Sequence, residues 1–201
     1  MDEPLINILT RTSGRPKSFS RCVDSIQSQT YKNIKHIVSV DDDLSYEYAS
    51  KLGNNIIKVE KRSKILQYGN NYKPYNFYIN DLLEEVDAGY IIFLDDDDFF
   101  TSPDSLKSII SHLNKDTLLM WLVNFCGTTL PNGQALASPV LLPTQVTGCS
   151  FAFHSKHKWA AKWDGVRGAD YRCAQRLSWL LGHKWLHKSI VTVLVASGGN
   201  K

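Results

Sequence analysis

The sequence predicts an α/β protein with a mostly parallel, Rossmann-like central sheet flanked by helices, and three observations carry that prediction. Short, wholly apolar runs recur through the first hundred residues, stretches with helical apolar spacing lie between them, and three of the runs end abruptly in hydroxyl-bearing or acidic clusters. Buried parallel strands read as continuous apolar runs, and strands alternating with amphipathic helices imply right-handed parallel crossovers.

Residues 5–10, LINILT, are the first predicted strand. Gly14 and Pro16 mark a turn, and Pro16 suits the first turn of a helix reaching about Gln29, with Phe19, Cys22, Val23 and Ile26 at i, i+3, i+4 and i+7. Residues 34–40, IKHIVSV, form a second strand and 55–59, NIIKV, a third. Ile79, Leu82, Leu83 and Val86 predict a helix over 75–86, ahead of a fourth strand at 90–94, YIIFL. Ser102-Pro103-Asp104 caps a helix carrying Leu106, Ile109, Ile110 and Leu113, and 117–123 returns as a strand. The passage 127–143, with three prolines and two glycines, reads as a loop over the site. A strand near 147–153, helices near 156–163 and 169–181, and a last strand at 189–195 complete the chain.

With 201 residues, 43% of them hydrophobic and 21% charged, the chain can bury one sizeable core, so a single domain over 1–201 is expected. Its 23 basic and 20 acidic residues, net +3, are too even a balance for a nucleic-acid surface. No stretch approaches the ~18 to 20 uncharged apolar residues of a membrane span, and the opening MDEPLINILTRT lacks the basic and apolar regions of a secretion signal. Cys22, Cys126, Cys149 and Cys173 lie far apart and read as four buried free thiols, and no Asn-X-Ser/Thr sequon occurs. A soluble, cytoplasmic protein is expected, and the close Ala-Ser-Gly-Gly-Asn-Lys after an apolar strand suggests further domains C-terminal to this one.

In an open α/β sheet, ligands bind beyond the carboxyl ends of the strands. Strand one ends in Thr10-Arg11-Thr12, strand two in Asp41-Asp42-Asp43 and strand four in Asp95-Asp96-Asp97-Asp98. Two like charges ~4 Å apart cost each other about 4 kcal/mol at an effective dielectric near 20, so something positive must offset such a run. Hard oxygen ligands favour magnesium, manganese or calcium, and a magnesium-like ion takes one or two carboxylates and completes its shell with substrate phosphates. Arg11, Arg15 and Lys73 supply further positive charge for a diphosphate. The bland alternatives are a solvated loop for Asp95 to Asp98 and a turn-forming cluster for Asp41 to Asp43.

Four blocks of residues resemble the GT-A glycosyltransferases, in particular the family 2-like group: the opening through SVDDD, the segment YIIFLDDDDFFTSPD with its Asp-X-Asp element, GNNYKPYNFYIN, and GADYRCAQRL. The third block lacks the group's usual Ala-Arg-Asn, with Lys73 standing in for the arginine, and in the fourth Ala169 replaces a glutamate. The chain is also similar to glycosyltransferases with which large DNA viruses modify capsid protein, which would put it in the host cytoplasm. The resemblance implies a GT-A fold with a nucleotide-sugar-binding lobe over 1–100 and an acceptor lobe over 101–201. It implies a UDP-sugar donor, a glycan or glycoprotein acceptor, and Mn2+ or Mg2+ as cofactor. Thr10, Arg11, Thr12, Arg15, Lys73 and Asp96 would contact the donor, Asp41 the uracil N–H, and Asp95 the ribose or sugar. Asp97, together with Asp95, would hold the metal, and Asp170 would be the general base.

Two alternatives stay open. A haloacid-dehalogenase-like phosphohydrolase also places Asp-X-Asp after an apolar strand, although Phe99-Phe100 follows here and a complete α/β unit precedes. A non-catalytic sugar- or metal-binding module would use the same carboxylates without chemistry.

Overall fold

The computed structural model describes residues 3–52, 55–63 and 71–194. Its nine strands among those residues form one sheet in the order β3-β2-β1-β4-β8-β6-β9-β5, with β7 paired to β6. The first half of the sheet is parallel: β1 (Ile6–Thr12), β2 (Ile34–Val40), β3 (Asn55–Lys58) and β4 (Tyr90–Phe93). Beyond it, β8 (Phe151–His154) runs antiparallel to β4, and β6 (Leu118–Phe125) antiparallel to β8. β9 (His183–Val193) lies parallel to β6, and β5 (Asp98–Phe100) antiparallel to β9. The predicted fold class is therefore the observed one.

Alternation along the central strands divides the core, because successive side chains leave a strand on opposite faces. Leu9, Ile91 and Phe93 pack with Phe151 and Phe153 against helices α3 (Tyr78–Glu84) and α6 (Ala169–Leu181). Ile6, Ile8, Ile92 and Leu94 join Trp121 on the other face, against α1 (Pro16–Gln27) and α4 (Ser105–Ile110). The indole N–H of the fully buried Trp121 donates to the Cys149 carbonyl at 2.9 Å. That bond satisfies the one polar atom the ring brings inside.

Several elements depart from the sequence expectation. Helix α2 (Asp43–Ser50) is an addition: Asp42 accepts from the Ser45 backbone N–H at 2.7 Å and caps it, so the acidic cluster after β2 starts a helix. The helix expected over 75–86 is a 3-10 turn, Pro74–Phe77, followed by the shorter α3. The passage 127–143 contains β7 (Thr128–Leu130) and the one-turn α5 (Gly133–Leu136). The helix near 156–163 is a 3-10 segment, Ser155–Ala160, and β9 begins six residues before the expected 189. Cys22, Cys149 and Cys173 are buried free thiols, but Cys126 is exposed. Gly69 and Asn70 of the third block, and the residues after 194, lie outside the described residues.

The turn after α1 ties the two halves of the site together. Gln29 is fully buried and its amide donates to the Ser25 carbonyl at 3.0 Å and the Ser102 carbonyl at 2.8 Å, while its oxygen accepts from Leu106 N at 3.0 Å. Thr30 N donates to Pro103 O at 2.8 Å, and the Tyr31 hydroxyl to Pro4 O. The Gln-Thr-Tyr sequence thereby clamps the end of α1 to the segment that follows the aspartate run. Replacing Gln29 by Leu strands the Leu106 N–H and takes one of two partners from the Ser25 and Ser102 carbonyls, and is expected to cost about 2 to 4 kcal/mol in urea unfolding. A loss below about 1 kcal/mol would show that the clamp does not hold the two segments.

Candidate active site

The site follows from one register. β1 lies parallel to β4 with Leu9 opposite Phe93, so each residue just beyond β4 is level with a residue of β1. Thr10 Oγ1 donates to the Leu94 carbonyl at 2.7 Å. Arg11 meets Asp95, with Nε to Oδ1 at 2.8 Å and Nη2 to Oδ2 at 2.5 Å. Thr12 Oγ1 donates to Asp96 Oδ2 at 2.7 Å. Strand alternation then sends Arg11 and Asp95 to one face and Thr10, Thr12 and Asp96 to the other.

Three of the residues expected at the donor are buried here. Thr10 and Asp96 are both fully buried, Thr10 also lying 2.9 Å from His36 Nε2. The Thr12 hydroxyl, likewise buried, is shared between Asp96 and Tyr48 Oη at 2.7 Å each. These three side chains lie in the interior, alternating with the residues that open outward.

Arg15, at the N-cap of α1, reaches the same run. Its Nε donates to Asp96 Oδ2 and its Nη1 to Asp97 Oδ2, both at 3.0 Å, and Nη2 pairs with Asp96 Oδ1. Burial pushes the Asp96 carboxyl up to about 7 even against the Arg15 charge and the Thr12 hydrogen bond. Asp98 starts β5 and is buried, and burial together with the charges of Asp95 and Asp97 holds its carboxyl well above the ordinary range. For Arg11, burial opposes the charged form, but the charge and hydrogen bond of Asp95 outweigh it and raise its pKa.

A cavity of about 240 Å3 opens at this edge, lined among others by Arg11, Lys73, Asp95, Asp98, Arg167 and Asp170. Arg11 in its wall is fixed between two rings, 5.0 Å from the Trp163 centroid and 5.4 Å from that of Tyr75. Its Nη1 also donates to Tyr75 O at 3.2 Å and Asn76 Oδ1 at 3.1 Å. The Asn76 amide donates in turn to the carbonyls of Asp164 at 3.2 Å and Val166 at 3.1 Å, joining the arginine to the loop before α6. Gly165 in that loop is required by space, since a Cβ there would lie 2.7 Å from the Phe77 ring. Asp170 sits in the first turn of α6 with its Oδ1 accepting from Tyr171 N at 2.8 Å, and burial raises its pKa. Arg15, Asp96 and Asp97 lie beside this cavity rather than in its wall, and Asp41 is held separately, its Oδ2 accepting from the Tyr78 hydroxyl at 3.1 Å. Asp41 Oδ1 is buried without a hydrogen-bond partner.

The acidic run fits a hard divalent ion. Its donors are all carboxylate oxygens, and Asp98 Oδ1 is buried without a hydrogen-bond partner beside Asp95. Among the described residues no three His, Cys, Asp or Glu side chains form a ready-made metal cage. One or two carboxylates with the remaining positions left to phosphate and water is the pattern that magnesium-like ions accept.

Residues 8–139 match the family model described as Glycosyl transferase family 2. The chain belongs to that family. The match replaces the phosphohydrolase alternative. An uncharacterized glycosyltransferase of Haemophilus influenzae is 31% identical over 134 residues, 67% of this chain and 52% of that protein. The chain thus spans about half the length of this curated relative. Among solved structures, S. aureus TarS in complex with UDP-GlcNAc superposes with a TM-score of 0.70 at 13% identity, covering 97% of this chain and 60% of TarS. A Pyrobaculum calidifontis mannosyltransferase in complex with GDP-Man and Mn2+ gives 0.66 at 12% identity, covering 94% and 56%. These neighbours share the GT-A fold.

Sequence reasoning missed Tyr75, Asn76, Trp163 and Arg167. The glycines flanking Val166-Arg167, at 165 and 168, were the available signal for a tightly held loop; Trp163 reads as core from its apolar neighbours. Asp98 yields a test of the electrostatics. Its folded-state pKa is raised above the unfolded value near 3.8, so the native state loses stability from this group as pH climbs above that value. With chelator present, Asp98→Asn is expected to raise Tm at pH 8 by ~2 to 4 °C and to change it little at pH 4. A lowered Tm at pH 8 would contradict the assignment of a costly buried charge.

Proposed function

We propose that this chain transfers a glycosyl residue from a UDP-sugar to a hydroxyl of a glycan or glycoprotein acceptor, using Mn2+ or Mg2+. The observation that carries the proposal is the convergence of Arg11, Lys73, Asp95 and Asp170 on one cavity at the carboxyl edge of the sheet, beside Asp97 and Arg15. The family supplies the reaction class, and the geometry of the site supports the roles proposed for its residues.

Residues 1–100 are read as the donor lobe and 101–201 as the acceptor lobe. Asp41 Oδ1, buried and without a partner, is an acceptor suited to the imide N–H of uracil. The neighbours include both a UDP-sugar and a GDP-sugar complex, and guanine also offers N–H donors to a carboxylate, so a comparison of UDP with GDP binding tests the choice of base. Arg15 and Lys73 offer cationic donors to the diphosphate, Asp95 faces the sugar, and Asp97 with Asp95 holds the metal. A bound divalent ion supplies Lewis-acid stabilisation to the charge that gathers on the departing diphosphate. Arg11 stays locked on Asp95 and keeps that carboxylate aimed into the cavity.

Asp170 is the base if the anomeric centre inverts. Its oxygen takes the acceptor's hydroxyl proton as that oxygen bonds to the anomeric carbon and the bond from carbon to the phosphate oxygen breaks. Burial works for this role, since a carboxylate with a raised pKa is the stronger base. The N-terminal position on α6 and the neighbouring Arg11 charge act against that rise and favour the ionised form.

Two variants test the assignment. Asp97→Ala is expected to remove the Mn2+-dependent part of UDP binding in calorimetry and the slow hydrolysis of a UDP-sugar, with the fold intact; undiminished UDP binding would refute the metal role. Asp170→Asn is expected to bind UDP normally while transfer falls by roughly 10²- to 10⁴-fold. In the wild type, transfer should rise with pH through the raised Asp170 pKa. Full transfer by Asp170→Asn removes it as base, and intact UDP-sugar in the wild type favours a non-catalytic module.

A further inference from the structure

We propose that Arg15 makes binding of the divalent ion depend on the donor's diphosphate, because guanidinium and ion contend for the Asp97 carboxylate and the diphosphate draws the guanidinium away. This rests on the metal role proposed for Asp97 and goes beyond it, since it assigns Arg15 to the coupling between two ligands.

Two arginines neutralise the aspartate run, and their surroundings differ. Arg11 is held by both oxygens of Asp95, by Tyr75 O and Asn76 Oδ1, and by the rings of Tyr75 and Trp163. Moving it would break all of these at once. Among the described residues the Arg15 side chain bonds only to the carboxylates of Asp96 and Asp97, and it is 22% exposed against 12% for Arg11. Its backbone, at the N-cap of α1, makes no use of the side chain as a cap. Arg15 is therefore the cation that can turn.

Asp97 Oδ2 accepts from Arg15 Nη1 at 3.0 Å, so a doubly charged ion on that carboxylate would sit at contact range from the guanidinium. Repulsion at such range is strong in a partly buried site. A diphosphate offers the guanidinium a bidentate partner of matching shape and leaves Asp97 to the ion. Since coupling between ligands is reciprocal, UDP should tighten Mn2+ binding by the same factor that Mn2+ tightens UDP. Asp96 keeps its Thr12 hydrogen bond when Arg15 turns.

The test is an electron-paramagnetic-resonance titration of free Mn2+, with and without UDP, on wild type, Arg15→Met, Arg15→Lys and Asp97→Ala, each checked for folding by thermal melting. Arg15→Met is expected to bind Mn2+ alone roughly tenfold tighter than wild type, with a smaller further gain from UDP. Arg15→Lys, which keeps one charge without the fork, should fall between and serves if the Met variant does not fold. Mn2+ binding lost in Asp97→Ala but no tighter in either Arg15 variant overturns this inference alone. Mn2+ binding unchanged in Asp97→Ala overturns the metal role, and this inference with it.

Discussion

The site depends on the register between β1 and β4. With Leu9 opposite Phe93, a spacing of 84 residues along the chain is brought to zero, and three consecutive residues meet three others: Thr10 with Leu94, Arg11 with Asp95, Thr12 with Asp96. Alternation then sorts these pairs to two faces, so one face receives an arginine and a carboxylate and the other a buried hydroxyl–carboxylate pair. A slip by one residue would exchange the faces and place Arg11 in the core. The apolar alternation of Ile6, Ile8 and Leu9 against Ile91, Ile92 and Phe93 protects the register, since both faces of these strands are buried.

Charge sets the second constraint. Four adjacent aspartates delivered to a partly buried edge cannot all stay ionised without cations nearby. The chain answers with Arg11 on Asp95 and Arg15 across Asp96 and Asp97, and leaves Asp96 and Asp98 with raised pKa values. The run is thus divided: Asp95 and Asp97 stay partly exposed, whereas Asp96 and Asp98 are buried, Asp98 against the floor of the cavity. Its geometry is secured from outside by the Gln29 clamp and the pairing of β5 with β9. In this way α1, β5 and the last strand serve the same few atoms.

Much of this was legible in the sequence. The apolar runs that become β1, β2 and β4 are buried on both faces, so they stand out as uninterrupted, and the clusters at the ends of β1 and β4 meet at one edge of the sheet. What stayed hidden depended on alternation past the strand ends and on contacts distant in sequence. Asp95 and Asp96 are the same residue type in the same run, yet only the β1 register decides that one faces the cavity and the other is buried. Helix α2 is polar enough to read as a loop, and its start is visible only once Asp42 is seen capping Ser45. Asn76 joins Arg11 to the loop before α6 across nearly ninety residues, a link no local pattern announces.

The central claim is that the first strand and the aspartate run build a metal-assisted site for a uridine diphosphate-sugar. A thermal-shift screen of nucleotides and nucleotide-sugars with and without Mn2+ tests it directly, because a ligand that binds only the native state raises its stability by mass action. The account predicts that UDP and a UDP-sugar raise Tm in the presence of Mn2+ and much less in its absence, with guanosine and adenosine diphosphates weaker under both conditions. Equal shifts for all nucleotides, or a UDP shift indifferent to Mn2+, would contradict it.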